Sequence, residues 1–189
     1  MIFLDTIADS QVFNVQVQKP KSDRYCLTTE IRIRKAKESE FGSIQRMSLG
    51  QLRNELSEYE RPLAEEAEKV FAERLGSLLG REGNEIYVAE DGNRMIGYVW
   101  FGISERPFSA MRTGWIYDIQ VLPSYRGSGI GKALMKHALE LSKARGFQVT
   151  GLMVNAKNKV AFSLYEKLGF QAEYMLMSRQ ETSPIHIED

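Results

Sequence analysis

Hydrophobic and polar positions along the chain follow the periods of strands and helices. Residues 31–34 alternate isoleucine with arginine, which predicts a strand with one solvated face. Ser39 suits the N-cap of a first helix. Pro62 suits the first turn of a second helix, which Gly80 ends. The first half of the domain is therefore expected to run strand, helix, helix.

The second half of the chain begins with a hairpin pattern. Two apolar runs flank Asp91-Gly92-Asn93, a sequence typical of the tight turn between antiparallel strands. The pattern predicts strands over residues 86–89, 95–101, 115–121, 149–154 and 170–177. It also predicts a helix that starts near residue 130 and is ended by Gly146, and a helix over residues 158–168. An antiparallel centre followed by one strand–helix–strand crossover predicts a mixed α/β sheet.

The pattern predicts a single folded domain. Residues 1–29 carry no convincing period, so we expect an N-terminal arm or a partly ordered extension. A flexible tail and an arm that packs on a partner both fit this segment. Residues 30–182 form the expected domain, and residues 183–189 form a C-terminal tail.

Composition narrows the classes of function. The 25 basic and 25 acidic side chains give no net charge, unlike proteins that bind nucleic acid or anionic membranes. One cysteine, Cys26, cannot form an internal disulfide, and with two histidines it cannot complete a zinc site, so no metal is expected.

No apolar run approaches the ~20 residues of a membrane helix. The N-terminus also lacks the basic region of a signal peptide. We expect a soluble cytoplasmic protein in a reducing compartment.

A glycine-rich turn over residues 125–132 joins a predicted strand to a predicted helix. A nucleotide-hydrolase phosphate loop fails because Arg126 and Ala133 replace its required glycine and hydroxyl residue. The dinucleotide motif fails because the third glycine is missing, and a nucleophile elbow centred on Ser128 fails because Arg126 and Ile130 stand where it needs glycines. These three sites are excluded by residue identity.

The remaining interpretation of this turn is an anion site. Glycines expose backbone N–H groups at a helix N-terminus, where the helix dipole favours an anion. Arg126 and Lys132 add positive charge. A phosphate or pyrophosphate cradle is expected, although spacing alone does not distinguish it from a left-handed turn that only reverses the chain.

Two blocks of the sequence resemble motifs of the GNAT superfamily of N-acetyltransferases. Residues 118–131 resemble its acyl-CoA motif, Gln/Arg-x-x-Gly-x-Gly/Ala, with Arg126, Gly129 and Gly131 in the fixed places. Residues 154–170 resemble its C-terminal motif. The resemblance implies a GNAT-like α/β (α+β) fold: a mixed, mostly antiparallel central sheet of about six to seven strands, flanked by about four helices.

The resemblance also implies acetyl-CoA as the cosubstrate. Its pyrophosphate would be held by the turn, and its pantetheine arm would run beside the preceding strand and contact Asn158. Tyr165, on the same face of the last helix as Asn158, would protonate the departing thiolate. The residues implied in cofactor binding are Ile119, Gln120, Val121, Arg126, Gly127, Ser128, Gly129, Ile130, Gly131, Lys132 and Asn158.

Asp118 is the leading candidate for the base because it interrupts an otherwise apolar strand. Tyr117 is the rival, and strand alternation predicts that the two side chains face opposite sides. A salt-bridged strand carboxylate is the structural alternative for Asp118, and a core aromatic is the alternative for Tyr165. His137 lies on the apolar stripe of its helix, so we expect a packed structural histidine.

The expected activity is transfer of the acetyl group of acetyl-CoA to a primary amine, by direct attack within a ternary complex. The acceptor stays open between a polyamine, an amino sugar, an amino acid, a protein N-terminus and a lysine. The alternative is a non-catalytic acyl-CoA-binding sensor or assembly module. The partners expected are a small-molecule or peptide amine, without nucleic acid or membrane; a homodimer through the C-terminal strand or the N-terminal arm also stays open.

Overall fold

A six-stranded mixed sheet organises the protein. The computed structural model describes residues 10–17, 27–56, 60–79 and 81–178. Its strands are β1 (Ser10–Val17), β2 (Leu27–Lys35), β3 (Glu85–Asp91), β4 (Arg94–Glu105), β5 (Arg112–Val121) and β6 (Thr150–Leu152). Its helices are α1 (Phe41–Glu55), α2 (Ala64–Leu79), α3 (Ile130–Ala144) and α4 (Lys159–Lys167). The strands follow one another in space as they do in sequence, with antiparallel pairing up to β5 and parallel pairing between β5 and β6. The predicted mixed α/β fold is confirmed.

Helices cover both faces of the sheet. On one side, called the α3 face, α3 and α4 pack against a cluster that includes Val99, Phe101 and Leu134. On the other side, called the α1 face, α1 and α2 pack against a cluster that includes Tyr98 and Trp100. Successive side chains of β4 therefore alternate between two cores, as a central strand requires.

Most of the predicted elements are confirmed, including the first two helices and the hairpin. The predicted N-cap is wrong, because Ser39 lies within a short 3-10 turn and Glu40 is the N-cap of α1. Gly80 and the predicted C-terminal tail over residues 183–189 lie outside the described residues. Gly92 has a φ of 60° in the turn between β3 and β4, a conformation that glycine adopts readily. None of the helices in the described ranges is long and apolar enough to cross a membrane.

The two ends of the described chain differ from the predictions. Within the expected N-terminal arm, residues 10–17 form β1 and pair with β2. Phe13, Val15 and Val17 alternate with polar residues there, but over too few positions to predict a strand. The strand predicted over residues 170–177 is wrong, since residues 171–178 join no sheet. An apolar run indicates that a segment can form a strand, but it does not show that a partner strand is available. The strand predicted over residues 149–154 forms over three residues only.

His137 lies on the buried face of α3, packed in the protein core as predicted. The residue is 1% exposed, and its ring centroid lies 4.3 Å from that of Tyr87. Burial lowers the pKa of His137 below its ordinary value of 6.5, an effect that the negative charges of Glu140 and Glu85 partly offset. The folded protein therefore holds this imidazole neutral at a pH where the unfolded chain protonates it.

Acid should destabilise the fold through His137. As the pH falls below about 6.5, the unfolded chain takes up a proton on this residue before the folded chain does, so the free energy of unfolding decreases. Urea unfolding between about pH 7.5 and 5.5 should show this decrease in the native protein and a flatter profile in His137→Phe. Equal slopes in the two proteins would contradict the assignment.

Candidate functional site

A β-bulge at Tyr117 interrupts the pairing of β4 and β5. Trp100 lies opposite Asp118 while Phe101 lies opposite Ile116, so Tyr117 is the extra residue. Residues opposite each other share a face, which places Asp118 on the α1 face with Trp100. The Tyr117 ring also packs there, 5.0 Å from Trp100. The prediction that Tyr117 and Asp118 face opposite sides is therefore wrong, because the bulge breaks the alternation.

The edge of β5 that faces β6 is open beyond the bulge. Pairing with β6 covers Gly114 to Ile116 and ends there, while residues 118–121 continue to pair with β4 on the other edge. Ile119 and Val121 pack partly buried on the α3 face. No strand of the described residues pairs with this edge of residues 117–121, which we call the β5 groove; an extended ligand can hydrogen bond to such an edge as an added strand does.

The glycine-rich turn lies at the end of this groove and begins α3. Gly127 and Gly129 have φ angles of 80° and 90°, and Gly129 is the N-cap. A side chain at these positions would strain the backbone. The first N–H groups of α3, on Ile130, Gly131 and Lys132, have no acceptor within the helix and are suited to an anion.

Side chains fix the position of this turn. Arg126 is exposed, and its Nε donates to the Val121 carbonyl oxygen at 3.1 Å, which connects the turn to the end of β5. This bond uses one of the five guanidinium N–H groups. Ser128 Oγ donates to the Tyr125 carbonyl oxygen at 2.6 Å. Arg126 and the exposed Lys132 therefore border the site as cations.

Helix α4 brings Asn158 and Tyr165 to the α3 face. Asn158 is the N-cap of α4, and its Oδ1 accepts a hydrogen bond from the Ala161 N–H at 3.1 Å. This bond uses the amide oxygen, which leaves the amide nitrogen as the donor for a ligand. Tyr165 is buried in the α3-face cluster, with its ring centroid 5.9 Å from that of Phe170. Tyr165 and Asp118 thus lie on opposite faces of the sheet.

Two buried hydroxyl groups hold the carboxylate of Asp118. Ser48 Oγ and the Tyr98 hydroxyl each donate to Oδ2 at 2.5 Å, the short end of the range for hydroxyl donors to carboxylates. Gln120 Nε2 donates to Oδ1 at 3.2 Å. Burial, followed by the negative charge of Asp118, raises the pKa of Tyr98 well above its ordinary value, so this hydroxyl stays protonated as a donor.

Sequence reasoning assigned no role to Ser48 or Tyr98. Ser48 interrupts the apolar stripe of α1, and Tyr98 lies in the apolar run of β4. These two positions indicate polar groups that face a core. They do not indicate the partner of those groups, which for Ser48 is 70 residues away in the sequence.

A pocket of about 110 Å³ opens beside Asp118, between α1, α2 and β5. We call it the α1 pocket; its lining residues are Ser48, Gln51, Leu52, Phe71, Tyr117, Asp118 and Gln120. The segment of β5 that borders the groove therefore also lines this pocket. A larger cavity of about 460 Å³ lies near the C-terminal end of α3, where it is lined by Arg145 and Gly146, and it contains none of the predicted site residues. In the described ranges, no three His, Cys, Asp or Glu residues cluster as metal ligands.

Comparison with known sequences identifies similar proteins. The acetyltransferase (GNAT) family model matches residues 49–170. An uncharacterized N-acetyltransferase of Methanocaldococcus jannaschii is 33% identical over 99 residues, which are 50% of this chain and 42% of that protein. The mycothiol acetyltransferase of Streptomyces scabiei is 36% identical over 97 residues, which are 51% of this chain and 30% of that protein. The chain thus spans less than half the length of these two relatives.

Solved structures share the fold over a larger part of the chain. A Pyrococcus furiosus protein, provisionally described as an acetyl transferase, superposes with a TM-score of 0.67 at 27% identity, covering 80% of this chain and 99% of that one. An aminoglycoside N-acetyltransferase in complex with CoA superposes with a TM-score of 0.60 at 14% identity, covering 84% and 99%, and shows the fold alone. The family match over residues 49–170, together with the bulged strand and the glycine turn, leads to one conclusion: the chain belongs to the GNAT family of acetyltransferases.

Proposed function

We propose that the chain is an N-acetyltransferase that transfers the acetyl group of acetyl-CoA to a primary amine, by direct attack within a ternary complex. The observation that carries this proposal is that one strand segment borders two separate spaces. Residues 117–121 of β5 present an open backbone edge to the β5 groove, and side chains of the same segment line the α1 pocket. Two substrates can therefore meet at this segment from opposite sides.

The residues around the groove fit a CoA thioester. Backbone N–H groups of the turn and of the first turn of α3 suit the pyrophosphate, and Arg126 adds positive charge. The groove edge at Ile119, Gln120 and Val121 suits the amide groups of the pantetheine arm. A Cβ placed on Gly131 would lie 3.7 Å from Leu164 and 3.8 Å from Val121, so α4, α3 and β5 converge closely here.

The attack on the thioester requires a good leaving group, a base for the amine and a hydrogen-bond donor for the carbonyl oxygen. Acetyl-CoA supplies a thioester whose thiolate is a good leaving group near neutral pH. Asp118 orients the amine in the α1 pocket and accepts its proton, directly or through a water molecule. A backbone N–H group of the open β5 edge donates to the carbonyl oxygen as the amine nitrogen bonds to the carbonyl carbon, a stabilisation of about 3 kcal/mol when the donor is preorganised.

Tyr165 completes the transfer as the acid. As the carbon–sulfur bond breaks, its hydroxyl gives a proton to the sulfur, and the phenolate that results takes a proton back from water. The two protons that the ammonium loses as it becomes an amide pass through Asp118 to water. The two groups lie on opposite faces of the sheet, so the amine enters from the α1 face and the thiol departs on the α3 face. Tyr117, which packs on Trp100 and donates to the Ile103 carbonyl oxygen at 3.0 Å, shapes the pocket wall.

A small-molecule amine is the first acceptor to test. The name of the 36% identical relative, mycothiol acetyltransferase, specifies a small molecule. Thiol release from acetyl-CoA, measured over a panel of amines, peptides and amino sugars, distinguishes an enzyme from a CoA-binding module. Tight CoA binding without turnover on any acceptor would contradict the proposal.

Replacing the base should remove most of the activity. Asp118→Asn keeps one acceptor for the Ser48 and Tyr98 hydroxyls but cannot take a proton, so kcat/KM for the amine should fall by at least about a hundredfold. Glu105→Gln, an exposed change at the far end of β4, is the matched control and should be within about twofold of the native protein. A decrease of less than about threefold in Asp118→Asn would refute its role as the base.

Replacing the acid should separate turnover from binding. Tyr165→Phe keeps the ring that packs on Phe170 but loses the proton donor, so kcat should fall by about tenfold or more while the Kd for CoA stays within about twofold. Steady-state kinetics and calorimetric titration with CoA measure the two quantities. Equal losses in kcat and in CoA affinity would show that Tyr165 only packs.

A further inference from the structure

The α1 pocket has a distinctive charge and shape. Among the described residues that line it, Asp118 is the one with an acidic or basic side chain. Leu52 from α1 and Phe71 from α2 give it apolar walls. At about 30 Å³ per water molecule, its volume of about 110 Å³ corresponds to three or four waters. The space fits a short stem of a few heavy atoms.

The orientation of the carboxylate is set by groups from other elements. Ser48 of α1 and Tyr98 of β4 are 4% and 1% exposed, and both donate to Oδ2 of Asp118. Oδ1 accepts one longer bond, from Gln120 at 3.2 Å, and Gln120 itself lines the pocket. Oδ1 is therefore the oxygen that an ammonium in the pocket can approach.

One fixed carboxylate can neutralise one ammonium group. A charge taken out of water is costly unless an opposite charge pairs with it. A second ammonium on the same ligand finds no further carboxylate among the described lining residues, so it gains nothing from this pocket. The apolar walls in turn favour a hydrocarbon stem behind the first ammonium.

We propose that the acceptor is a small molecule with a single ammonium group on a short apolar stem, bound with that ammonium at Oδ1 of Asp118. This inference rests on the proposed N-acetyltransferase function and specifies its acceptor class. Ammonium groups beyond the first bring no gain in kcat/KM, which separates this class from polyamines and aminoglycosides.

A matched pair of amines tests the charge requirement. Butylamine and 1,4-diaminobutane share the same stem and differ by one ammonium group; kanamycin adds a multiply charged amino sugar. Thiol release should give a kcat/KM for butylamine at least equal to that for the diamine, after the diamine's statistical factor of two. A value more than tenfold higher for the diamine or for kanamycin would overturn the inference while supporting the acetyltransferase function. If CoA binds but none of the amines is turned over, both the inference and the acetyltransferase function are overturned.

Variants of the walls test the location of the stem. Leu52→Trp fills the pocket, so it should raise the KM for butylamine at least tenfold and leave the KM for acetyl-CoA within twofold. Val70→Trp is the matched control, because Val70 is exposed on α2 and does not line the pocket; it should change neither KM.

Enlarging the pocket gives an independent test. Phe71→Ala should improve kcat/KM for hexylamine relative to butylamine by several-fold, and an unchanged KM for acetyl-CoA reports that the variant is folded. A change in the KM for acetyl-CoA alone, in both Leu52→Trp and Phe71→Ala, would show that the pocket does not hold the amine and would overturn the inference.

Discussion

The bulge at Tyr117 is the constraint on which the candidate site depends. One extra residue in β5 brings Asp118 opposite Trp100, on the face covered by α1 and α2. A bulge also bends its strand and increases the local twist. In this sheet, the residue before it, Ile116, is the last to pair with β6. Both halves of the site, the groove edge and the pocket wall, begin at this position.

The arrangement fits the proposed transfer, which needs no nucleophile from the protein. One strand lies between two binding spaces, with Tyr165 on the α3 face and Asp118 on the α1 face. An acid and a base placed on either side of the reacting carbon suit direct transfer between two bound substrates. The zero net charge of the chain does not oppose this, because in the proposed function an anion would be held locally by backbone N–H groups and Arg126.

The local parts of the site could be predicted from the sequence, since each depends on neighbouring residues. The glycine turn and the starts of α3 and α4 are set within a few positions by backbone freedom and helix capping. The face of Tyr117 could not be predicted, because a bulge depends on the register between two strands.

The long-range contacts were also beyond sequence patterns. The hydroxyls of Ser48 and Tyr98 meet Asp118 only because α1 packs on β5 and β4 pairs with it. Residues 170–177 show the converse case: their pattern predicts a strand, but residues 171–178 pair with no strand in the described part of the sheet.

Amide hydrogen exchange with and without CoA tests most directly the claim that the β5 groove and the glycine turn hold the cosubstrate. The account predicts slower exchange on CoA addition in two segments, residues 117–121 and residues 127–132, with no change in the β3–β4 hairpin. Unchanged exchange in both segments, with protection instead at the larger cavity around Arg145 and Gly146, would contradict it.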